Sequence, residues 1–487
     1  MPVAEFPFGE WLPDAANFKN PGLEVADNVI PAANGYQPFP SLVGKSQTVT
    51  GVVKGAEQLF DNSGNSIIVG GTNDRLFIRR ATITETTGYS AIGDGEMWDF
   101  CQFNDFIIAT STGNAPQYLS DIDSDNTWSA LGGSPPNAKR CAKVGDFLML
   151  GNITSVPNRI QWSAFNSPTA SWSASRLTQA GSADLPLEYG PVQRIVGGRY
   201  ALVFQEYGIS RLSYVGPPLV WRADPVSAAR GTPAPFSVVG IGYLTYFLAQ
   251  DGFYVTNGAS IEAIGSRRIN DWFFSTVDQG RIREVHGAVD WQNECIVWAF
   301  LSEGASEYDR LLVYSYAQNR WSSATVDCGY VVGSTLDAQT LDELDAEFGD
   351  LDSIPYSLDS DRFKAKNRRL AGFVPGSTTS EYSTFTGTPA EATIETGEFQ
   401  PSAGQRVFVS EVAPLIVAES WDATVMLKYR DNRGVQTNSN TVATGWSGFA
   451  PLRAEGQKIA VQVKKPSGTD WTDLNGVQVR FAQAGYR

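Results

Sequence analysis

The sequence predicts an all-β chain, a β-propeller followed by an antiparallel β-sandwich-like domain, and three observations carry that prediction. The first is composition: 487 residues with only 18% charged, 47 Gly and 12% aromatic suit short strands, glycine turns and aromatic edges better than helical bundles. The second is an internal repeat over the first three-quarters of the chain. The third is strict alternation of apolar and polar residues in its last hundred.

The repeat is clearest where Phe103-Asn104-Asp105-Phe106-Ile107-Ile108 answers to Val144-Gly145-Asp146-Phe147-Leu148-Met149. Each is a Gly/Asn-Asp turn leading into an apolar strand. Cys101 and Cys141 precede the two turns, and aromatic strands at Tyr118 and Trp162 follow them. Weaker relatives run through 62–69, 196–203, 241–248 and 291–298. Aligning Ser66, Asp105, Asp146, Arg199, Thr245 and Glu294 gives steps of 39, 41, 53, 46 and 49 residues, the spacing of propeller blades with four strands each. Six blades are therefore favoured. The 311–321 stretch, a strand, a polar turn and a returning Trp321, resembles a kelch-type hairpin, with Trp128 and Trp172 at comparable places. The competing reading is a pair of β-sandwiches with accidental periodicity.

Around this repeat, residues 1–44, rich in Pro and Asn, read as an extended N-terminal arm along the surface, and 45–375 as the propeller. Gly376 to Ser380 is a polar linker. Residues 385–487 form the sandwich, with strands expected at 392–399, 407–409, 425–429, 459–463 and 477–481 and a turn at Asp431 to Gly434. Helix is scarce, and the best candidate is Asn270 capping 271–277.

Charge and special residues exclude several functions. Lys plus Arg is 37 against 52 Asp plus Glu, a formal charge of −15, which opposes a sequence-specific grip on nucleic acid. The single histidine, His286, rules out multi-histidine metal sites. Cys101, Cys141, Cys295 and Cys328 lack a C-x-x-C spacing and read as buried thiols in a reducing compartment. The start has no basic and apolar leader, and no apolar run reaches the ~20 residues that cross a bilayer, so a soluble protein made in a cytoplasm is expected.

Three constellations could carry chemistry. Asp121-x-Asp123-x-Asp125 imitates the start of a calcium loop or an Asp-box, but Asn126 stands where an EF-hand needs Gly and Gly132 where it needs Glu. A solvated turn at a blade tip is the plainer reading. The segment 337–361 holds nine carboxylates and repeated Leu-Asp steps, followed by Arg362, Lys364, Lys366, Arg368 and Arg369. It reads as a surface loop, with a subunit-contact or channel-facing insertion as the functional alternative. His286 beside Glu284 and Asp290 could form a base with an orienting carboxylate, yet no nucleophile signature accompanies it. No catalytic, cofactor-binding or metal-ligating residue is assigned, and no enzyme is expected.

The N-terminal stretch Asn20-Pro21-Gly22-Leu23 … Ala26-Asp27-Asn28-Val29-Ile30-Pro31 … Gly35-Tyr36 resembles the opening of the tail nozzle, or distal tail hub, proteins of short-tailed (podovirus-type) bacteriophages. Val196-Gly197-Gly198, Tyr214-Val215-Gly216, Asp251-Gly252-Phe253-Tyr254, Ile269 to Phe274, the Leu-Asp repeats and the ending Ala484 to Arg487 follow in the family's order. The resemblance implies a structural virion protein: a homohexamer ringing the DNA exit channel, below a tail adaptor protein, supporting tail fibre or spike proteins during genome ejection. It implies no cofactor and no membrane span. Double-stranded DNA would pass without specific binding, for which a negative wall is apt; acidity that only keeps the monomer soluble is the alternative. Two rivals stand beside it: a carbohydrate-binding or sialidase-like propeller acting in host-surface recognition, and an intracellular kelch-like interaction module.

Overall fold

In the computed structural model, residues 2–17, 20–335, 368–402, 404–418, 422–431, 434–445 and 447–484 are described. Strand accounts for 55% of the described residues and helix for 5%. The all-β propeller with a sandwich is what forms. Its wheel has seven blades, not the favoured six.

Blades 1 to 5 are separate four-stranded antiparallel meanders over 56–87, 99–130, 138–184, 192–227 and 239–263. Blade 6 covers 286–325. Blade 7 takes three strands from Tyr330–Thr335, Arg368–Pro375 and Thr379–Pro389, and its fourth from Pro40–Thr50. The first strands of the blades neighbour one another around a closed ring, with the turn Pro235–Ser237 bridging blades 4 and 5. All six aligned markers fall at the passage from the first to the second strand of blades 1 to 6. Asn104 and Gly145, at φ 53° and 55°, begin two such turns, a left-handed conformation that Asn and Gly tolerate best.

The seventh repeat was hidden for two physical reasons. Its fourth strand lies near the other end of the chain, and residues 336–367 stand where the other blades have a short turn. The acidic segment 337–361 and the basic residues to Lys366 lie outside the described residues.

Between blades, large side chains fill the gaps that flat sheets leave around a ring. Trp98 donates to the Thr72 carbonyl at 2.8 Å, Trp298 to Ser237 at 2.8 Å and Trp321 to Ile264 at 3.2 Å, so each buried indole also ties two chain segments. Cys101, Cys141, Cys295 and Cys328 are buried free thiols.

The five alternating C-terminal segments are all strands, in two sheets. One orders Val29–Ala32, Gly35–Pro38, Trp471–Gln483, Val407–Ala418 and Ala450–Gly456, with Val3–Pro7 also on Trp471–Gln483. The other orders Leu23–Asp27, Ala392–Thr396, Lys458–Lys465 and Thr424–Arg430. The N-terminal stretch is extended, as expected, but it does not run along the surface: it supplies strands to both sheets and to blade 7. Leu23–Asp27 also pairs in parallel with Arg320–Thr325, the last strand of blade 6, so that blade and sandwich share one ten-stranded sheet. One apolar cluster runs from Phe253, Trp298 and Trp321 through Leu23 and Val29 to Val409, Val461 and Val479.

Candidate functional site

Two places concentrate polar chemistry that the fold does not need for its strands: the wheel axis and the joint between wheel and sandwich.

Every blade sends a residue to the axis, near the N-terminal ends of the first strands. These are Glu57, Asp99, Arg140, Arg194, Phe236 (just ahead of its strand in blade 5), His286 and Tyr330. Arg194 of blade 4 pairs with buried Asp99 of blade 2, whose other carboxylate oxygen accepts from the Cys141 amide at 3.2 Å. Arg140 donates to the carbonyls of Gln193 (2.6 Å) and Lys139 (3.2 Å). Both guanidinium groups lie over the Phe236 ring, at 4.8 and 5.4 Å. At the rim, Glu96 accepts from Lys139 (2.7 Å) and Thr112 (3.0 Å) and faces Arg283 at 3.5 Å.

Burial governs the titration here. It raises the half-buried Glu57 carboxyl to about 7, with Arg194 partly opposing and Asp99 adding to the rise. It lowers Arg140 to about 10. Burial also works against the charge of Arg194, but Asp99 and Glu57 outweigh it and hold that guanidinium more basic than usual. Glu96 falls below its ordinary value because its bonds and charge contacts, Lys139 foremost, outweigh burial. The result is a set of interlocked ion pairs with an aromatic centre, which braces non-adjacent blades across the axis.

His286 belongs to this brace and not to a base with a carboxylate partner. Its ring stacks on Tyr330 with centroids 4.1 Å apart, and Nε2 accepts from the Val331 amide at 3.0 Å. That bond leaves the ring proton on Nδ1, directed at the Glu284 carbonyl 3.4 Å away. The Glu284 carboxylate pairs with Arg281 instead, and Asp290 holds its own turn by accepting from Gln292, Asn293 and the Asn293 side chain. Burial lowers the imidazole to about 4.

The Asp121-Asp125 loop uses its carboxylates internally. Asp121 accepts from the Asp123 amide (2.9 Å) and Ser124 (2.6 Å), and Asp125 from the Ser120 amide and hydroxyl and the Thr127 amide. Asp123 reaches blade 1, accepting from the amide and side chain of Asn62 at 2.9 Å each. Arg80 of blade 1 bonds Asn126 and the Asp125 carbonyl. The loop is thus a latch between blades 1 and 2. Among the described residues, no group of three or more His, Cys, Asp or Glu is arranged to hold a metal ion.

The joint is built by the residues of the N-terminal pattern. Asn20 donates to the carbonyls of Leu12 and Leu23 and accepts from the Gly22 amide, closing a tight turn. A Cβ on Gly22 would sit 2.0 Å from the Glu10 carbonyl oxygen, and one on Gly35 would sit 2.4 Å from that of Leu474, so neither position has room for a side chain. Asn28, at φ 56°, donates to the Glu391 carbonyl and accepts from the Thr325 amide, bonding sandwich and blade 6 at once. Tyr36 is fully buried and donates to the Gly9 carbonyl at 3.1 Å.

The pattern at the joint is legible in the sequence without its partners, whereas the axis is not singled out there. Asp99 and Arg140 are charged residues in the first strands of two well-matched repeats, but Gln102, Lys139 and Lys143 in the same strands hide them as a signal.

The fold and these sites define a seven-bladed β-propeller welded to a β-sandwich. No protein-family model matches the sequence, and no curated protein matches it. Among solved structures, the chain is similar to the β-propeller domain of Myceliophteria thermophila Cps50 (Swd1), at 8% identity and TM-score 0.42 over 70% of this chain and 99% of that one. It is similar to YCF48 bound to D1 peptide, at 12% identity and TM-score 0.37 over 72% and 97%. A third likeness is to virginiamycin B lyase from Staphylococcus aureus, at 12% identity and TM-score 0.36 over 58% and 87%. At such scores none of the three bears on function, and the fold stands on its own strand pairing.

Proposed function

We propose that the chain is a structural component of a short-tailed phage virion: a tail nozzle subunit that closes into a six-fold ring around the DNA exit channel and supports fibres or spikes. Its partners are then further copies of itself, a tail adaptor protein and fibre or spike proteins, and duplex DNA slides past without specific binding. In this reading the protein is a scaffold and not a catalyst.

The observation that carries the reading is the joint. Within the stretch through which the sequence resembles the nozzle family, Asp27 and Asn28 bond blade 6 and Asn28 also bonds the sandwich, while Asn20, Gly22, Gly35 and Tyr36 hold the turns that bring the chain there. A subunit that transmits load between an adaptor and fibres needs its two modules held as one body, and a shared sheet with a common apolar cluster supplies that.

The test is sedimentation and negative-stain imaging of the purified protein, with glycan binding and fluorogenic sialoside turnover measured alongside. Six-fold rings with flat glycan and sialoside responses are expected. A monomer that binds or cleaves glycans would instead establish the carbohydrate-directed propeller.

A further inference from the structure

The outer hairpin of blade 4 is long. Its strands, Ile209–Gly216 and Val220–Ser227, have eight residues each, against three and two in the outer pair of blade 2. Its end, Ser213 to Val220, contains no charged residue in a chain of formal charge −15. The tip is apolar and open to solvent: Tyr214 is 47% exposed, Val215 47% and Leu219 59%.

Blade 3 extends this surface. Leu177 is 93% exposed and Phe165 48%. The two blades meet around Phe147, whose ring lies 5.5 Å from Phe165 and 5.9 Å from Tyr214, while the Tyr214 hydroxyl donates to Gln179 at 2.7 Å. Together these five side chains present roughly 500 Å² of apolar surface, at the upper end for a monomer and more than half of the ~800 Å² per partner in a stable interface.

We propose that this patch on blades 3 and 4 is a subunit contact, occupied by a second copy of this chain. The inference rests on the ring reading above and deepens it by naming the surface. Charge selects the occupant. Two copies at −15 repel over most of their surfaces, whereas this tip carries no charge: Arg222 beside it is neutralised by Asp224 at 3.0 Å, and Arg176 suits the acidic exterior of a neighbour. A ring needs a heterologous contact, in which the patch meets a different surface of the next copy.

The experiment is mass photometry of the full chain over a concentration series, comparing wild type, a Leu177→Ser, Leu219→Ser double variant, and Leu187→Ser as a control. Leu187 is 77% exposed but lies on the connection into blade 4, away from the patch. All three should share one far-ultraviolet spectrum and, at dilutions where none assembles, one melting temperature. The expected result is an assembling wild type and control, with self-association of the double variant weakened by roughly 100-fold or more. Wild type and double variant assembling alike would overturn the proposal and leave the ring reading standing. A wild type monomeric throughout would overturn both.

Discussion

Burial decides what individual ionisable residues do in this molecule, and two of them pull stability in opposite directions with pH. His286 has a folded pKa of about 4, below its ordinary 6.5. The unfolded chain therefore binds its proton first on acidification, and this group's contribution, at most about 3 kcal/mol, is full above pH 6.5 and is lost as the pH falls toward 4. Glu57 behaves inversely. Its folded pKa of about 7 lies above 4.5, so the native state takes up a proton between those values and gains stability as the pH falls. Chemical denaturation from pH 8 to 4 should show His286→Gln losing less stability than wild type below pH 6.5. Glu57→Gln should lose more than wild type over the range from 7 to 4.5. Parallel curves for all three proteins would mean that neither group titrates as its surroundings dictate. At this scale the sequence was informative about type and silent about partners. The isolation of His286 from any nucleophile signature already suggested a structural residue, but its stacking on Tyr330 depends on two first strands meeting across a blade boundary.

Single elements show the same division between local signal and distant partner. The short helix is Asn270–Thr276, close to where a cap at Asn270 would start it. Asn270, however, is its first residue, and its side chain bonds the Asp251 carbonyl. The cap comes from Asp14, which accepts from the amides of Asp271 (3.0 Å) and Trp272 (2.8 Å). No local pattern could reveal a capping group from the other end of the chain. Asp14→Ala should cost about 1 kcal/mol of stability and raise hydrogen exchange in 270–276 above that of the neighbouring strands. Unchanged exchange there would show that packing of Phe273 alone holds the helix. Strands were more legible, because alternation reports burial directly: Val425, Leu427, Val461 and Val463 face the sandwich core as their period of two requires. Blade 7 was not legible, since its repeat is divided between residues 40–50 and 330–389.

At the scale of the whole molecule, the closing strand and the shared sheet make one prediction about cooperativity. Strand Pro40–Thr50 completes blade 7, and Leu23–Asp27 bridges blade 6 to the sandwich. Residues 1–44 were expected to lie on the surface because their Pro-rich composition hides any period. In the structure they are the most distributed part of the fold, and Trp11, Tyr36 and Phe39 are buried in it. Differential scanning calorimetry of the full chain, followed in parallel by hydrogen exchange of 23–27 and 40–50, tests this weld most directly. The account predicts a single transition in which both segments lose protection together with blade 6 and the sandwich. Two well-separated transitions, with either N-terminal segment exchanging freely below the first, would contradict it.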